Sequence, residues 1–540
     1  MAQSASSTLQ TLATASSRKL YYKLEIGWQS SMSATDFDNV DWYDESAYVL
    51  DMRGDMQSVG WQRGLGALGS GVSNVVYVTL DNSTDRFSFA DADSGLAAYL
   101  ASDGHNVHMK RARVTLGFYD GATPHGLTQL TGYLVEAQEN DDRSTVNLEL
   151  RDRAAMAEHE RAATALYSDQ AAGDYIQTLA GMLDIDPLGT GTDDPHGIDE
   201  TGAPSTDAIV YDPGMMPIAY AWMDDEPIWD EMGLVAESQL GRVYFSKDGQ
   251  LRFEDGTHWV NRRGYSYLDP LTSQFTFSDD DYRAVNVRWA RDSVYNHIVC
   301  EYWGRYISVE QPIYEASETY MVYPSDSRTV RAGFRYPVND VLDPVADTDY
   351  RAVSAGGINM NSDLTITLAN YAHHSDITLA NANANYAMYM TVLQLRGHPV
   401  LPYPPSRYET EDSNSIARFG RRTWKISNPY IQSYRHAELV GNFLKARFKD
   451  SLQYVRLVGC RGIPWLEVGD RVTVVSDNLQ FETGEDYFIV RIAWTFAGDR
   501  GYTMDLDLIR ARDVFAWADY FKIGTSTYGQ WSSVHGRVFW

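Results

Sequence analysis

Residues 488–508 read FIVRIAWTFAGDRGYTMDLDL, and their spacing decides the fold class. Apolar residues occupy every second position on both sides of a turn at 497–501, which predicts two antiparallel strands with one buried face. The opposite face of the second strand carries Thr503, Asp505 and Asp507, so we expect that face to meet water or a lumen. The alternating apolar residues are Phe488, Val490, Ile492, Trp494 and Phe496, then Tyr502, Met504, Leu506 and Leu508.

A helix is predicted upstream of these strands, over Ser433–Lys449, with Ser433 as its N-cap. A helix beside an antiparallel sheet with one apolar and one acidic face suits a small β-barrel. We therefore predict a last barrel with a helix over residues 411–512, followed by an aromatic tail over 513–540. The apolar side of the helix is predicted to consist of Ala437, Val440, Leu444 and Phe448.

The N-terminal part of the chain predicts another sheet of the same kind. Residues 74–80 and 113–119 are rich in β-branched and aromatic residues, and residues 144–151 alternate between apolar and polar. We predict a first β-barrel over residues 19–155. The preceding residues, 1–18, are rich in Ser, Thr and Ala and are expected to form a flexible tail.

A peripheral α+β domain is predicted to follow, over residues 156–285. Apolar residues at helical spacing in 174–183 predict one helix. A second helix is expected to carry Pro227 in its first turn and Asp225 as its N-cap. After it, a hairpin over Arg242–Phe253 is predicted from its Asp-Gly turn.

A peripheral β-rich domain is predicted over residues 286–410, where turn-rich, strand-like stretches lack helical periodicity. Residues 286–310 can be assigned either to this domain or to the last barrel. The predicted fold class is therefore mainly β with some α (α+β), in a multidomain chain with two β-barrels and two peripheral domains.

Size and charge limit the possible functions. At 540 residues the chain exceeds the ~250–300 residues at which single cores stop growing. Its net charge of −28 argues against sequence-specific nucleic-acid binding, because a protein that grips phosphates needs the opposite sign. The acidity either lets DNA slide past a like-charged surface or keeps a large particle soluble. No membrane span or secretory signal is predicted, so we expect a soluble protein made in the cytoplasm.

Two further features allow alternative interpretations. Cys300 and Cys460 lie in apolar, strand-like runs, so buried thiols are expected, with a single bridge between them as the alternative. The acidic loop 184–200 could hold calcium through carboxylates, but it lacks the EF-hand spacing, which favours a solvated loop.

Three short motifs suggest sites that their contexts do not favour. Residues 64–69 match GxGxxG, but a strand follows where a dinucleotide site needs a helix. Arg53-Gly54-Asp55 could serve adhesion only at an exposed loop tip. His373-His374 with Asp376 offers too few convergent ligands for zinc. We therefore predict no catalytic, cofactor-binding or metal-binding residue, no cofactor and a role other than that of an enzyme.

The C-terminal stretch is dense in aromatic residues without a clear period. Exposed aromatic residues of this density predict docking on a neighbouring subunit, with packing inside the chain as the alternative. The residues are Phe515, Trp517, Tyr520, Phe521, Tyr528, Trp531, Phe539 and Trp540.

Several stretches, taken in their order along the chain, resemble the central hub family of bacteriophage tails. Residues 225–255 (DEPIWDEMGLVAESQLGRVYFSKDGQLRFED) resemble its helix-then-hairpin module, and residues 295–302 (YNHIVCEY) the strand that follows. Residues 418–433 (RFGRRTWKISNPYIQS) and 463–475 (IPWLEVGDRVTVV) resemble its closing barrel.

The resemblance implies two tail-tube-like β-barrels plus two peripheral domains, and a homotrimer whose six barrels mimic the six-fold tail tube. Such a baseplate or tail-tip hub adapts the tube or distal tail ring protein to a three-fold tail fibre or spike protein. Its opening is the route of DNA ejection or of the tape-measure protein. The protein would then be a structural protein of the virion tail tip, assembled in the host cytoplasm, with Asp505 and Asp507 facing the lumen.

Two alternatives remain open at this point. A glycan-binding adhesin or glycoside hydrolase of the tail tip would use the many Tyr and Trp residues to stack on sugars. A hub of a phage-derived contractile injection system would share the fold.

Overall fold

The structure is a computed structural model that describes residues 5–29, 40–58, 71–89, 94–100, 106–141, 144–183, 210–256, 258, 272–289, 291–477, 481–497 and 501–511. Strands predominate over helices, which confirms the predicted class of mainly β with some α. The first elements are α1 (Ser7–Thr14), β1 (Leu20–Gly27), β2 (Tyr43–Asp44), β3 (Val49–Ser58), β4 (Val72–Asp81), α2 (Ala97–Leu100), β5 (Lys110–Asp120), β6 (Thr123–Glu139), β7 (Thr145–Asp152), α3 (Ala154–Ala157), β8 (Arg161–Ala163), β9 (Tyr167–Gln170) and α4 (Ala172–Ala180). Next come β10 (Val210–Tyr211), β11 (Ile218–Ala221), β12 (Asp224–Pro227), α5 (Ile228–Ser238), β13 (Arg242–Phe245), β14 (Leu251–Glu254), β15 (Thr276–Phe277), β16 (Ala284–Trp289), β17 (His297–Tyr302), β18 (Arg305–Ile307), β19 (Gln311–Glu315), β20 (Tyr320–Val322), β21 (Ser327–Gly333), β22 (Val338–Val341) and β23 (Tyr350–Ser354). The last are β24 (Leu364–Asn370), β25 (His374–Asn381), β26 (Met388–Pro402), β27 (Ser406–Glu411), α6 (Ser413–Phe419), β28 (Thr423–Ser427), α7 (Tyr434–Phe448), β29 (Gln453–Arg461), β30 (Arg471–Ser476), β31 (Phe481–Ala497) and β32 (Gly501–Arg510).

One sheet of 13 strands joins the two ends of the chain. Its order is β16-β29-β32-β31-β3-β4-β7-β6-β5-β1-β2, with β30 on β31 and β15 on β30. The prediction of two separate barrels, over 19–155 and 411–512, therefore needs correction. β3 pairs with β4 along one edge and with β31 along the other, from Asp51↔Ala497 to Gln57↔Arg491. With both edges of β3 occupied, the first set of strands cannot close on itself, and across the described residues the sheet stays open.

The sheet curls over a single apolar core that contains residues of both halves. Tyr22 of β1 and Phe496 of β31 lie far apart in strand order, yet their ring centroids are 4.6 Å apart. Helix α1 packs into the same core through the buried residues Leu9 and Ala13. The prediction that residues 1–18 form a flexible tail is therefore wrong for 7–14, because Ser6 caps a helix whose apolar side the core buries.

A bulge in β31 corrects the predicted alternation. The register of β31 with β32 shifts between Ile489 and Arg491. As a result Phe488 and Val490 pack on the other side of the sheet from Ile492, whereas the prediction placed all five apolar residues of this strand on one face. An extra residue in one strand reverses the side on which every following residue lies.

The α+β region packs α4 and α5 beside the β13–β14 hairpin. The Asp-Gly turn is confirmed, with Gly249 at a φ of +88° that favours glycine. Asp225 is not the N-cap of α5. It lies in β12, Pro227 occupies the cap position without a side-chain bond, and the Ile228 N–H donates to the Glu160 carbonyl instead.

The strands of residues 286–310 go to two different sheets. β16 lies at the edge of the 13-stranded sheet, on β29. β17 lies between β27 and β28 and packs against α7, which begins after the predicted cap Ser433. Both cysteines are free and buried, Cys300 in the core under α7 and Cys460 in the main core, so the thiol prediction is confirmed and the bridge is not formed.

Residues 305–402 form a peripheral β-sandwich with a core of its own. The long strand β26 pairs with five others, and β21, β25 and β24 form the second sheet. Across the helices of the described ranges, none has the length and apolar content that a membrane crossing requires.

Lowering the pH from 6.5 towards 4 is expected to weaken the fold through His436, which anchors α7 to the end of α5. This buried imidazole donates from Nε2 to the Ser238 carbonyl at 2.7 Å, and burial lowers its pKa to about 4. Below pH 6.5 the unfolded chain takes up a proton on this imidazole, whereas the folded chain does so only near pH 4. The free energy of unfolding is therefore unaffected by this group above pH 6.5. It falls by up to about 3 kcal/mol as the pH drops from 6.5 to 4.

His436→Gln keeps a side-chain N–H donor but cannot titrate. Urea unfolding of both proteins at about pH 7 and about pH 5 should show a smaller loss of unfolding free energy in the variant. Equal losses in the two proteins would rule out this role of His436.

Candidate functional site

The polar face of the 13-stranded sheet is the candidate functional surface. Outward positions of successive strands face each other across it, as in the cross-strand row Thr495, Arg53, Tyr77, Glu149. On the central strands β32, β31, β3, β4, β7 and β6, acidic residues outnumber basic ones on this face. The acidic residues of these strands are Asp51, Asp55, Asp81, Glu136, Glu149, Asp505 and Asp507, and the basic ones are Arg53, Arg151 and Arg491. Toward the two ends of the sheet the same face carries the basic residues Arg456, Arg288, Lys23 and Arg113.

Asp505 and Asp507, predicted to face a lumen, lie on this face in an ion-pair network. Arg491 holds Asp55 at 2.6 Å and Asp507 at 3.4 Å, and Arg456 holds Asp505 at 3.2 Å. The side chain of Asp507 is 9% exposed and that of Asp505 33%. Burial raises the pKa of Asp507, although both arginines counteract it. Asp505 is therefore the more accessible of the two carboxylates.

A groove of about 390 Å³ opens on the same face over β3, β4, β7 and β6. Arg53 lies over the Tyr77 ring, 4.9 Å from its centroid. Asp51 and Glu136 also line the groove, and neither forms an ion pair with any residue that the structure describes. The groove is consequently polar and acidic around one aromatic ring.

Within the described ranges, each end of the sheet has an edge without a full partner strand. β16 pairs only with β29, and Trp289 at its end is 57% exposed. At the opposite end, β2 covers β1 only at Glu25 and Ile26. The remaining edge of β1 and the outer edge of β16 have no partner strand within the described ranges. Such edges carry unpaired N–H and C=O groups that can pair with another chain.

A buried polar junction fixes the two halves of the sheet against the hairpin. Lys247 donates from Nζ to Gln129 Oε1 at 2.8 Å and to the Leu466 carbonyl at 2.7 Å. Gln129 in turn donates to the Pro464 carbonyl at 2.9 Å. Burial lowers the pKa of Lys247 to about 8. One ammonium therefore joins β6, the β13–β14 turn and the loop before β30.

The RGD tripeptide has a structural role. Its residues lie inside β3, where Arg53 contacts Tyr77, Gly54 faces Trp494 and Asp55 binds Arg491. The motif lies within a strand and not at an exposed loop tip, so the condition for an adhesion role is not met.

The histidine pair 373–374, which the sequence offered as a possible metal site, is not part of a group of metal ligands in the described ranges. His374 is buried and stacks on Tyr371, with ring centroids 4.4 Å apart. Among the residues that the structure describes, no group of three or more His, Cys, Asp or Glu side chains is arranged to hold a metal ion. Three predicted features fall outside the described residues, namely the glycine motif 64–69, the acidic loop 184–200 and the aromatic residues Phe515, Trp517, Tyr520, Phe521, Trp531 and Trp540.

Sequence reasoning missed the arginines of the polar face. Arg491 lies in an apolar run, on the side opposite to the buried Ile492, and Arg456 occupies the outward position between the buried Val455 and Leu457. A charged residue within an otherwise buried strand is the signal that indicates a polar sheet face.

The fold is similar to solved structures of tail proteins. The tail protein from Neisseria meningitidis MC58 matches with 10% identity and a TM-score of 0.46, over 92% of this chain and 99% of its own. The 43 kDa tail protein of prophage MuSo2 from Shewanella oneidensis matches with 10% identity and a TM-score of 0.45, over 91% and 99%. The c3393 protein of E. coli, a component of the type VI secretion system, matches with 9% identity and a TM-score of 0.32, over 86% and 73%.

The solved structures are of tail and secretion-system proteins. The sequence resemblance indicated the same kind of protein. No protein-family model and no curated protein matches the sequence.

Proposed function

We propose that the chain is the subunit of a homotrimeric hub in a bacteriophage tail tip or baseplate, a structural protein rather than an enzyme. The observation that supports this most directly is the single sheet, with one face in the core, one charged face and, within the described ranges, an edge without a partner strand at each end. Three such sheets side by side would surround a channel.

The edges supply the joining chemistry. β16 of one copy and β1 of the next are different surfaces, and contacts between different surfaces generate a ring when the rotation closes. Pairing would also protect edges that otherwise invite aggregation. In this arrangement each copy contributes the two halves of its sheet, so three copies would present six sheet halves to a six-fold tube.

The charge of the polar face suits a DNA exit channel. Asp505 and Asp507 would lie on the lumen or its rim, with Asp505 the more accessible to solvent. Because carboxylates repel phosphates, DNA would pass without sticking. The function therefore needs no sequence-specific nucleic-acid binding.

The partners follow from the position of such a ring. The tail tube or distal tail ring protein would contact it above and the tail fibre or spike protein below, with the tape-measure protein in the opening before DNA passes. The aromatic C-terminal residues would dock on a neighbouring subunit. The ring would assemble in the host cytoplasm and belong to the virion tail tip.

Mass photometry tests the trimer. We expect a species of about 182 kDa, three chains of 60.8 kDa. Trp289→Lys places a charge on the open edge of β16 and should shift the population to single chains, because a lysine on an edge strand blocks pairing. Tyr403→Lys, at an exposed residue away from that edge, is the matched control.

The contrary outcomes identify the alternatives. A stable monomer that cleaves polysaccharide would favour a glycoside hydrolase, and a monomer that forms no ring with a tube protein would contradict the hub. A density map of the assembled ring that places Asp505 on its outer surface would contradict the lumen assignment. A hub of a contractile injection system would give the same trimer and is distinguished by its neighbouring genes.

A further inference from the structure

Three large exposed residues lie on neighbouring segments of the chain at one end of the peripheral β-sandwich. β20 and β23 flank β26, and both meet it at Met388, through Val322 on one side and Ser354 on the other. The chain just beyond each of these strand ends carries a large exposed residue. These residues, which we call the tip platform, are Tyr323 (60% exposed), Tyr386 (61%) and Ile358 (69%).

The two tyrosines of the tip platform are held in place by one buried amide. Asn381 is 3% exposed, and its Nδ2 donates to the Tyr323 carbonyl at 3.1 Å and to the Tyr386 carbonyl at 2.9 Å. Asn383 Oδ1 accepts from the Tyr386 N–H at 3.0 Å. The backbones beneath both rings are therefore fixed, so a ligand would meet them with little ordering cost.

The third side chain rests on an equally tight turn. Ser354 donates its N–H to the Ile358 carbonyl at 2.9 Å, and its hydroxyl accepts from the Ile358 N–H at 3.2 Å. Neighbouring strands lie about 4.8 Å apart, so the outer strands β20 and β23 are about 10 Å apart.

The surroundings of the tip platform are amide and hydroxyl groups. The loop between β25 and β26 reads ANANYA over residues 382–387. The flanking charged groups have partners within the chain, since Asp363 accepts from Asn383 Nδ2 at 2.9 Å, Asp326 accepts from the Ser327 N–H at 2.8 Å and Arg328 lies over the Tyr320 ring. A ligand here would meet aromatic faces and neutral hydrogen-bonding groups.

We propose that the tip platform binds a neutral saccharide chain. The apolar face of a pyranose ring packs on a tyrosine ring, and its hydroxyls exchange hydrogen bonds with carboxamides. Clustered exposed aromatic residues on a rigid frame are typical of binding surfaces. Among the described residues around the platform there is no cluster of cations to attract a polyanion, and a protein partner usually covers a larger apolar area. The inference does not depend on the hub proposal.

Saturation-transfer NMR on the full chain tests the platform, with chitotetraose and maltoheptaose as neutral probes and heparin as the charged probe. At least one neutral probe should receive saturation and heparin should not. Tyr386→Ala and Tyr323→Ala should each weaken that binding by about tenfold, the loss expected for one aromatic contact. Tyr403→Ala is the matched control, because Tyr403 is also exposed but follows the opposite end of β26.

Several outcomes would overturn the proposal. The proposal is contradicted if neither neutral probe receives saturation, or if only heparin does. It is also contradicted if Tyr403→Ala weakens saccharide binding as much as Tyr386→Ala and Tyr323→Ala do. Loss of subunit or partner assembly in Tyr386→Ala without any saccharide binding would instead make the platform a protein-docking surface. Thermal unfolding of each variant should match the wild type, because all three side chains are exposed, and mass photometry of the same samples reports on the hub separately.

Discussion

Gly54→Ala is expected to destabilise the chain by about 3 kcal/mol or more, the upper range for an overpacked core. Gly54 lies opposite Trp494 where β3 joins β31. A Cβ at this position would sit 2.2 Å from Trp494 Cε2 and 2.3 Å from its Nε1. The fully buried indole cannot move away without opening the junction between the two halves of the sheet.

Urea unfolding followed by tryptophan fluorescence measures this loss. Gly233→Ala is the matched control, because a Cβ at Gly233 meets nothing within 4 Å. Gly233 lies in helix α5, where alanine should raise the free energy of unfolding by up to about 1 kcal/mol. Adding Trp494→Leu to Gly54→Ala should cost less than the two single changes combined, since the smaller leucine side chain leaves room for the added methyl group. An unchanged midpoint for Gly54→Ala would mean that the junction is looser than the described contacts indicate.

Arg242→Met is expected to cost about 3–5 kcal/mol, because it leaves a buried carboxylate without its partner. Arg242 is 1% exposed and donates from Nε to Glu254 Oε2 at 2.7 Å and from Nη2 to the Val468 carbonyl at 3.2 Å. Tyr244 donates to the other oxygen of Glu254 at 2.7 Å. Although burial opposes the charge of Glu254, Arg242 and His258 hold the pKa of that carboxyl well below its usual range.

Two comparisons isolate the buried charge. The double variant Arg242→Met/Glu254→Gln should lose much less stability, because no unpaired charge remains. Arg151→Ala removes the exposed ion pair with Glu149 and should cost no more than about 1 kcal/mol. The unfolding free energy from urea denaturation decides, and an Arg242→Met loss as small as that of Arg151→Ala would contradict the role of this pair.

The sign of the pH dependence gives an independent check on Glu254. The pKa of Glu254 in the folded state lies below the unfolded value of 4.5. The carboxylate therefore contributes to the free energy of unfolding above pH 4.5, and this contribution is lost as the pH falls. In Arg242→Met the penalty should shrink on acidification, because protonation removes the unpaired charge. In the wild type, the contribution of the Arg242–Glu254 pair to the free energy of unfolding should instead decrease on acidification.

Local patterns in the sequence determined the elements. Alternation predicted β7 and β32, an Asp-Gly turn predicted the β13–β14 hairpin, and Ser433 predicted the start of α7. These features depend on neighbours a few residues away, and one-sided burial leaves a period that can be read directly. The helical spacing of Leu9, Leu12 and Ala13 was present too, but the Ser/Thr/Ala-rich composition hid it.

Only the tertiary structure decided how the elements are joined. Asp55 and Arg491 meet although they are 436 residues apart, and the pairing of β3 with β31 turns two expected barrels into one open sheet. Backbone N–H and C=O groups are the same in every strand, so the sequence does not state which edge pairs with which. The bulge at 489–491 likewise depends on the register with β32, and that register determines which of the strand's residues reach the core and which reach the polar face.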